Sequence, residues 1–535
     1  MEAILSIESA LDHWSSMYVQ LSNSIQSYIS ACKTLGAVCA RDHQTRARDV
    51  AENAFVLLDS KLGSLAAEEN ALRTSRCSLS ALRNKSKTLA PINMLPPEIL
   101  TRIFLLSLST NCGHEDPIAF SHNFVGTCAH WRQLALGTSY FWTHIDVGPN
   151  ISEKLNKLML ERAKTHPLHL HIFNYKLSET NYDPNSLLED LQPLMRRLHS
   201  LELFNFEGTF VGSMVKLWLE HGDEHLVKLL SIFQHTPRVS FNDRREAEPL
   251  MNTSEHGEQI LLSLQELHLY DVRFNWDSNA YRGLVDLRLK FVNASAFGTI
   301  SSSELAHILR ASPMLAILKL GNLRVTGQVG PLQAIPVPLN HLKVLNLTEM
   351  RLDCLRWLLP LIALPRSSSE LSVGLAFHKG LEDELKNFLD RSPITSLYCF
   401  CMSYNFGAWS SILAPLGALR TLILDMRAFE ELIDDVAPSQ DDVAANSHYL
   451  RLTLKGCYSL FENINSLVSN LGVNELHIEA PVDAPVRYGI DQTAEEYWAD
   501  IRTDLIRAHP NLRYTIDEEF ATDTEHHDIS PYCWP

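Results

Sequence analysis

Cys112 and His114, and again Cys128 and His130, pair metal-ligating side chains two residues apart. A structural zinc needs four ligands converging on one point. Cys128 sits in a stretch of helical period, Phe124 to Leu136, with its sulfur on the apolar face, so it reads as packing. Cys399 and Cys401 alternate along an apolar strand pattern and read as inward packing too. Nucleophilic catalysis needs a Ser or Cys beside a base. The sequence has no G-x-S-x-G elbow, no G-x-x-x-x-G-K-S/T loop and no glycine-rich turn opening a helix. Glu518 and Glu519 adjoin in sequence, which does not place them across a substrate. The expectation is a chain without catalytic residues, metal or cofactor, whose chemistry is that of a surface.

A candidate surface comes from a repeated pattern, apolar-x-x-Leu-x-apolar. It reads LHSLEL at 198, LQELHL at 264, LVDLRL at 284, LAILKL at 315, LKVLNL at 342 and LRTLIL at 419. Weaker copies are SSELSV at 368, ITSLYC at 394, YLRLTL at 449 and VNELHI at 473. In a strand the flanking apolar residues share one face and the residues between them the other. Those intervening positions are His268, Arg288, Lys319, Asn346, Ser372, Tyr398, Ile423, Thr453 and His477. Two residues later come Tyr270, Lys290, Phe400, Asp425, Lys455 and Glu479. Arg288, Lys290 and Lys319 form a basic stretch suited to an acidic or phosphorylated segment. Tyr398 and Phe400 form an aromatic one. These five are the candidate substrate contacts; the competing reading is a solvated face with scattered charge.

The elements that would position them follow from spacing. The central residues Leu318, Leu345, Leu371, Leu397 and Leu422 recur at nearly constant intervals. That suits one strand and one helix per turn of a leucine-rich solenoid over 165–517, ahead of a plain α/β sheet. Helices are expected at 302–311, 353–362, 381–391, 409–414 and 493–508. Leu201 to Leu267 is too long for one repeat, and the polar stretch 242–259 reads as a disordered insertion. The acidic segment 430–447 reads as a solvated loop, and 518–535 as a flexible tail. Residues 1–90 read as helical, with Leu58, Leu65, Leu72 and Leu79 in a heptad column. Glu69 and Arg76 interrupt the companion column, so a hairpin packed on itself or on the next domain leads, and a coiled-coil dimer is the alternative.

Between these regions, residues 92–147 form a compact unit. It opens with INMLPPEILTRIFLLS, Pro96 and Pro97 lying in a first turn where a missing N–H costs nothing. Ile99, Leu100, Ile103, Phe104, Leu105, Leu106 and Leu108 cover more than one helix stripe. Such a helix must be buried twice, once in its own unit and once against something else. Net charge −17 argues against nucleic acid as the main partner. No signal peptide and no apolar run long enough for a bilayer is read, and ten scattered cysteines suggest reduced thiols, so the expected location is cytoplasm or nucleus.

The segment APINMLPPEIL, followed by FVGTCAHWRQLALGTSYFWTHI, resembles the F-box, especially the version common in large fungal families. The resemblance covers about 55 residues, as expected of so small a unit, and rests on the Leu-Pro-Pro-Glu helix, on Cys128, Trp131 and Arg132, and on the terminal aromatics. The loop at 109–119 is longer than in the family pattern, and Thr127 stands where a Val is usual. The resemblance implies an N-terminal helical region, a small all-α F-box unit and a leucine-rich-repeat-like α/β solenoid. It also implies a non-catalytic substrate receptor that docks the Skp-family adaptor of a cullin-RING ubiquitin ligase and holds a protein substrate for ubiquitination. The residues it assigns to the adaptor are Leu95, Pro96, Ile99, Leu100, Ile103, Phe104 and Trp131, some of which must instead form the unit's own core. The alternative is a repeat scaffold outside any ligase, with this unit as a cap.

Overall fold

The structure, a computed structural model, describes residues 7–42, 48–84, 90–110, 125–148, 151–173, 184–206, 208–234, 249–250, 254–291, 298–327, 336–364, 371–377, 381–391, 394–401, 418–425, 450–455, 461–481 and 493–520. The chain divides into two compact units, 1–96 and 97–535.

The first unit holds two long helices, α1 (Ile7–Asp42) and α2 (Arg48–Asn84), and a short 3-10 turn over Pro91–Met94. Neither long helix contains a proline, and each has a single glycine, so propensity opposes neither. The hairpin expected to cover the leucine column does not cover it: Leu65, Leu72 and Leu79 are exposed and Leu58 is half-buried.

The second unit opens with α3 (Pro97–Thr110) and α4 (Ala129–Gly137). The helical period read over 124–136 is interrupted at Cys128: residues 125–127 are helical, and α4 starts afresh with Cys128 as its cap, the thiol accepting from the Trp131 N–H at 3.4 Å. The sulfur closes a helix end, a use the sequence reading did not assign to it.

One parallel sheet of 14 strands runs through the rest of the described residues. Its strands are β1 (His144–Val147), β2 (Leu168–Phe173), β3 (Leu198–Phe206), β4 (Leu229–Gln234), β5 (Glu266–Tyr270), β6 (Asp286–Lys290) and β7 (Ile317–Gly321). Then come β8 (Val344–Glu349), β9 (Ser372–Phe377), β10 (Ser396–Cys401), β11 (Thr421–Asp425), β12 (Arg451–Lys455), β13 (Glu475–Pro481) and β14 (Arg513–Phe520). They stand side by side in chain order, every neighbour parallel. Parallel neighbours need a crossover of a dozen or more residues, and helices such as Ser302–Ala311, Glu382–Leu389 and Ala494–Ala508 fill several of these intervals. Two of them begin at capping boxes legible in sequence, Ser301 with Glu304 and Thr493 with Glu496. Asp271 and Asn322, just past β5 and β7, take the left-handed backbone (φ 55° and 51°) that Asp and Asn tolerate best after Gly.

The core is a column of side chains in register across the sheet. Ile145, Leu170, Leu201, Leu230, Leu267, Leu287, Leu318, Leu345, Val373, Leu397, Leu422, Leu452 and Leu476 are all buried. A second buried column lies two residues on, including Leu203, Ile232, Leu289, Leu375, Cys399 and Leu454.

Five expectations are corrected. The sheet begins at His144, so 144–147 is its first strand and does not close the small unit. The long interval after Leu201 is more than one repeat, as its length indicated, but it is filled in part by a strand that was not expected, β4, preceded by the pattern copy VKLLSI at 227. Within the expected insertion, Leu250 is buried in a bridge to Phe274, and Glu255–Leu262 is a helix capped by Ser254. The expected tail loses residues 518–520 to β14. In the SSELSV copy the column residue is Val373 and not Leu371, which moves the middle position from Ser372 to Gly374. A slip of two keeps the same face inward, so the pattern alone could not detect it. The expectations for 109–119, 409–414 and 430–447 fall wholly or mostly on residues outside those described.

Candidate functional site

α3 has two apolar faces, and the structure sorts its residues between them. Leu100 (0% exposed) and Phe104 (5%) point inward. The Phe104 ring packs on Trp131 at 4.6 Å and on Phe141 at 6.5 Å between centroids. Trp142 closes this small core, donating its indole N–H to the Ala135 carbonyl at 2.8 Å. Leu100 and Phe104 are therefore core residues, and their place among surface contacts is corrected. A helix one hundred degrees per residue round cannot turn positions 99 and 100 to the same side. Ile99 (47%), Ile103 (37%) and Leu106 (58%) follow at i, i+4 and i+7 and stay exposed on another side. Pro96 is exposed, Leu95 half-buried, and Trp131 half-buried against Phe104.

The open face of the sheet is the second surface. Its basic stretch is neutralised within the fold. The Arg288 guanidinium donates to both carboxylate oxygens of Asp286, its Nη2 at 2.7 Å and its Nε at 3.0 and 3.2 Å. His268 on β5 lies 3.4 Å from the same carboxylate. Burial raises the Asp286 carboxyl, but the hydrogen bonds from His268 and Arg288 outweigh it and hold it below the ordinary value. Lys290 donates to Glu349 at 2.6 Å and lies over the Tyr270 ring. Lys319 is half-buried beside Arg288 in register. The expected cationic landing strip is thus a set of ion pairs, Arg288 with Asp286 along β6 and Lys290 with Glu349 across strands. The acids were missed because Asp286 precedes the middle position and Glu349 follows β8's irregular register. Tyr398 donates to Asp425 on the next strand. Phe400 is placed in register with Ala376 and Asp425.

Glu266, His268 and Asp286 bring three potential metal ligands within 4.8 Å of one another. They alternate on two neighbouring strands, a spacing visible in sequence only once those strands are paired. The Arg288 guanidinium already spans Asp286, so a divalent ion there would sit beside a fixed positive charge. The arrangement suits an internal ion network better than a metal.

Two features of the open face went unread in the sequence. Phe204, Phe233 and Tyr270 stack across β3, β4 and β5, with centroids 4.6 and 4.0 Å apart. All three are half-buried, leaving a strip of ring edges toward solvent. At the start of the sheet, His144 stacks on His169 at 4.4 Å and His199 meets His169 edge-on at 5.1 Å. Burial, then the positive charges of His144 and His199, push His169 down to about 3. The folded protein therefore refuses a proton that the unfolded chain accepts near pH 6.5. Stability from this ring is complete above pH 6.5 and declines as pH falls below it. Between pH 7.5 and 5.5 the wild type should lose about 1 kcal/mol more than His169→Gln in denaturant unfolding, after discounting the full 1.4 kcal/mol per unit for partial solvent access. Equal losses would show that the ring protonates freely in the fold.

No family model matches the chain, and no curated protein matches it. Among the described residues no helix is long and apolar enough to cross a membrane.

Proposed function

We propose that the chain is the substrate receptor of a Skp-cullin-F-box ubiquitin ligase. In this reading residues 92–147 are an F-box-like unit, and the sequential parallel sheet is a leucine-rich-repeat-like solenoid that holds a protein substrate. The receptor carries out no bond chemistry; it raises the local concentration of substrate lysines near a conjugating enzyme. Such work would take place in the cytoplasm or nucleus.

The observation that carries the reading is α3's second apolar face. Leu100 and Phe104 complete a core, yet Ile99, Ile103 and Leu106 remain outside it. Together these three expose on the order of 250 Å², worth roughly 6 kcal/mol if fully buried. That lies near the cost of association, so further contacts must add to it. Pro96, the exposed edge of Trp131 and the adaptor's own polar groups are the proposed sources. On the substrate side, the aromatic strip Phe204, Phe233 and Tyr270 replaces the basic stretch as the favoured contact, since Arg288 and Lys290 are already paired.

One observation favours the scaffold reading: β1 joins the small unit directly to the sheet, as a cap would. Co-purification separates the two. Full-length protein expressed with a Skp-family adaptor should retain it, and Ile99→Asp with Ile103→Asp should lose it while keeping the wild-type melt. A folded variant that still retains the adaptor would remove α3 from the interface and leave the cap reading standing.

A further inference from the structure

α1 carries an apolar stripe of heptad spacing. Leu11, Tyr18, Ile25 and Cys32 recur every seven residues, and Trp14, Leu21, Tyr28 and Leu35 follow each by three. All eight are exposed, the seven large ones at 39–60%. Neighbours along the stripe touch, Trp14 stacking on Tyr18 at 5.9 Å. A globular groove asks only for an apolar face. A strict alternation of three and four over four heptads is what a second helix requires, each knob seating in a hole of the facing helix.

The in-chain candidate for that second helix is α2. Beside its leucine column stand Phe55, Leu62, Glu69 and Arg76, so the second half of that companion column is charged. Leu65, Leu72 and Leu79 are exposed, as the α1 stripe is, so neither helix covers the other's apolar face. Another copy of α1 matches better. No Asp, Glu, Lys or Arg occurs from 14 to 32, so two copies meet here without charge repulsion although each chain carries −17. Ser15, Ser22, Ser24 and Ala31 flank the stripe and let two helices approach closely; Met17 and Ile29 widen it. Covering the eight side chains would bury roughly 700 Å² per helix, close to the ~800 Å² per partner of a standard stable interface. We propose that the protein is a homodimer joined by an α1–α1 coiled coil. This moves the seam from the α2 leucine column to α1, and it stands whether or not the second unit docks an adaptor.

Sedimentation equilibrium of the full chain under reducing conditions tests it. The wild type should sediment at twice the 60.5 kDa of one chain in the low micromolar range. Leu21→Asp with Ile25→Asp, at the centre of the stripe, should raise the dimer dissociation constant at least ~100-fold, as loss of two central anchors does. Ser16→Asp with Asn23→Asp adds the same charge on the helix's outer side and should remain dimeric. Thermal melts of all three should keep the transition of the large sheet, even where unpaired α1 loses helix by circular dichroism. A wild type at single-chain mass overturns the proposal, since the stripe would then close on its own chain or face another partner. A dimer that persists in the Leu21/Ile25 variant overturns it too, placing the contact elsewhere. So does a monomer in the Ser16/Asn23 control, which would make the effect one of added charge alone.

Discussion

Leu100→Ala is expected to cost 2–5 kcal/mol of stability, and Phe104→Ala 3–5 kcal/mol, in a unit too small to absorb either. The reason is position. Leu100 has no exposed surface, and Phe104 is the ring on which Trp131 and Phe141 close. Truncating either leaves a cavity in a core fixed by the Trp131 and Phe141 rings and by the buried Trp142 hydrogen bond. Ile99→Ser and Ile103→Ser, one residue away on the helix, should stay within about 1 kcal/mol of wild type, as exposed substitutions do. Denaturant unfolding, followed by tryptophan fluorescence, reads the difference. If Leu100→Ala costs less than 1 kcal/mol, or Ile99→Ser costs as much as Leu100→Ala, α3 is rotated from the orientation described. The practical consequence is that alanine substitutions at 100 and 104 report on folding and carry no information about docking.

The second large effect lies on the sheet. Asp286→Ala should destabilise by about 3 kcal/mol or more, because it strands a mostly buried Arg288 beside His268. Arg288→Glu should be at least as damaging, since it sets three carboxylates, Glu266, Asp286 and its own, against one another. Replacing both partners by apolar residues, Asp286→Leu with Arg288→Met, should cost less than Asp286→Ala alone. A double-mutant cycle by urea unfolding measures this coupling. A coupling energy under 0.5 kcal/mol would mean that Arg288 is held elsewhere, and would restore it as a candidate substrate contact.

The Leu-x-Leu repeat made most of the sheet legible, because the same spacing must recur wherever a strand buries alternate residues. It located β3, β5 to β8 and β10 to β13 outright. It missed β2, LHLHIF, because Pro167 stands where the pattern has its first apolar residue, and it missed β4 although VKLLSI at 227 carries the pattern, with Val and Ile in place of two leucines. It missed β1 because the strand's own sequence, HIDV, sits within the aromatic end of the small unit. The site was less legible for a physical reason. Which acid neutralises Lys290 depends on pairing across strands, since Glu349 lies 59 residues away, whereas the partner of Arg288, Asp286, sits two residues before it on the same strand and was readable in sequence. The division of α3 between Leu100 and Ile99 likewise required a packed core to choose a side. The stacked Phe204, Phe233 and Tyr270 were present at one offset in three consecutive strands, a signal readable once β4 is recognised.

The central claim, that α3 presents its outer face to an adaptor, is tested most directly by titrating full-length protein with a purified Skp-family adaptor in a calorimeter. The account predicts one adaptor bound per chain with a dissociation constant of ~1 μM or tighter, and a negative heat-capacity change from buried apolar surface. Ile99→Asp with Ile103→Asp, shown to melt like the wild type, should give no measurable heat. A folded wild type that binds no adaptor at tens of micromolar would contradict the account, leaving α3's outer face to some other use.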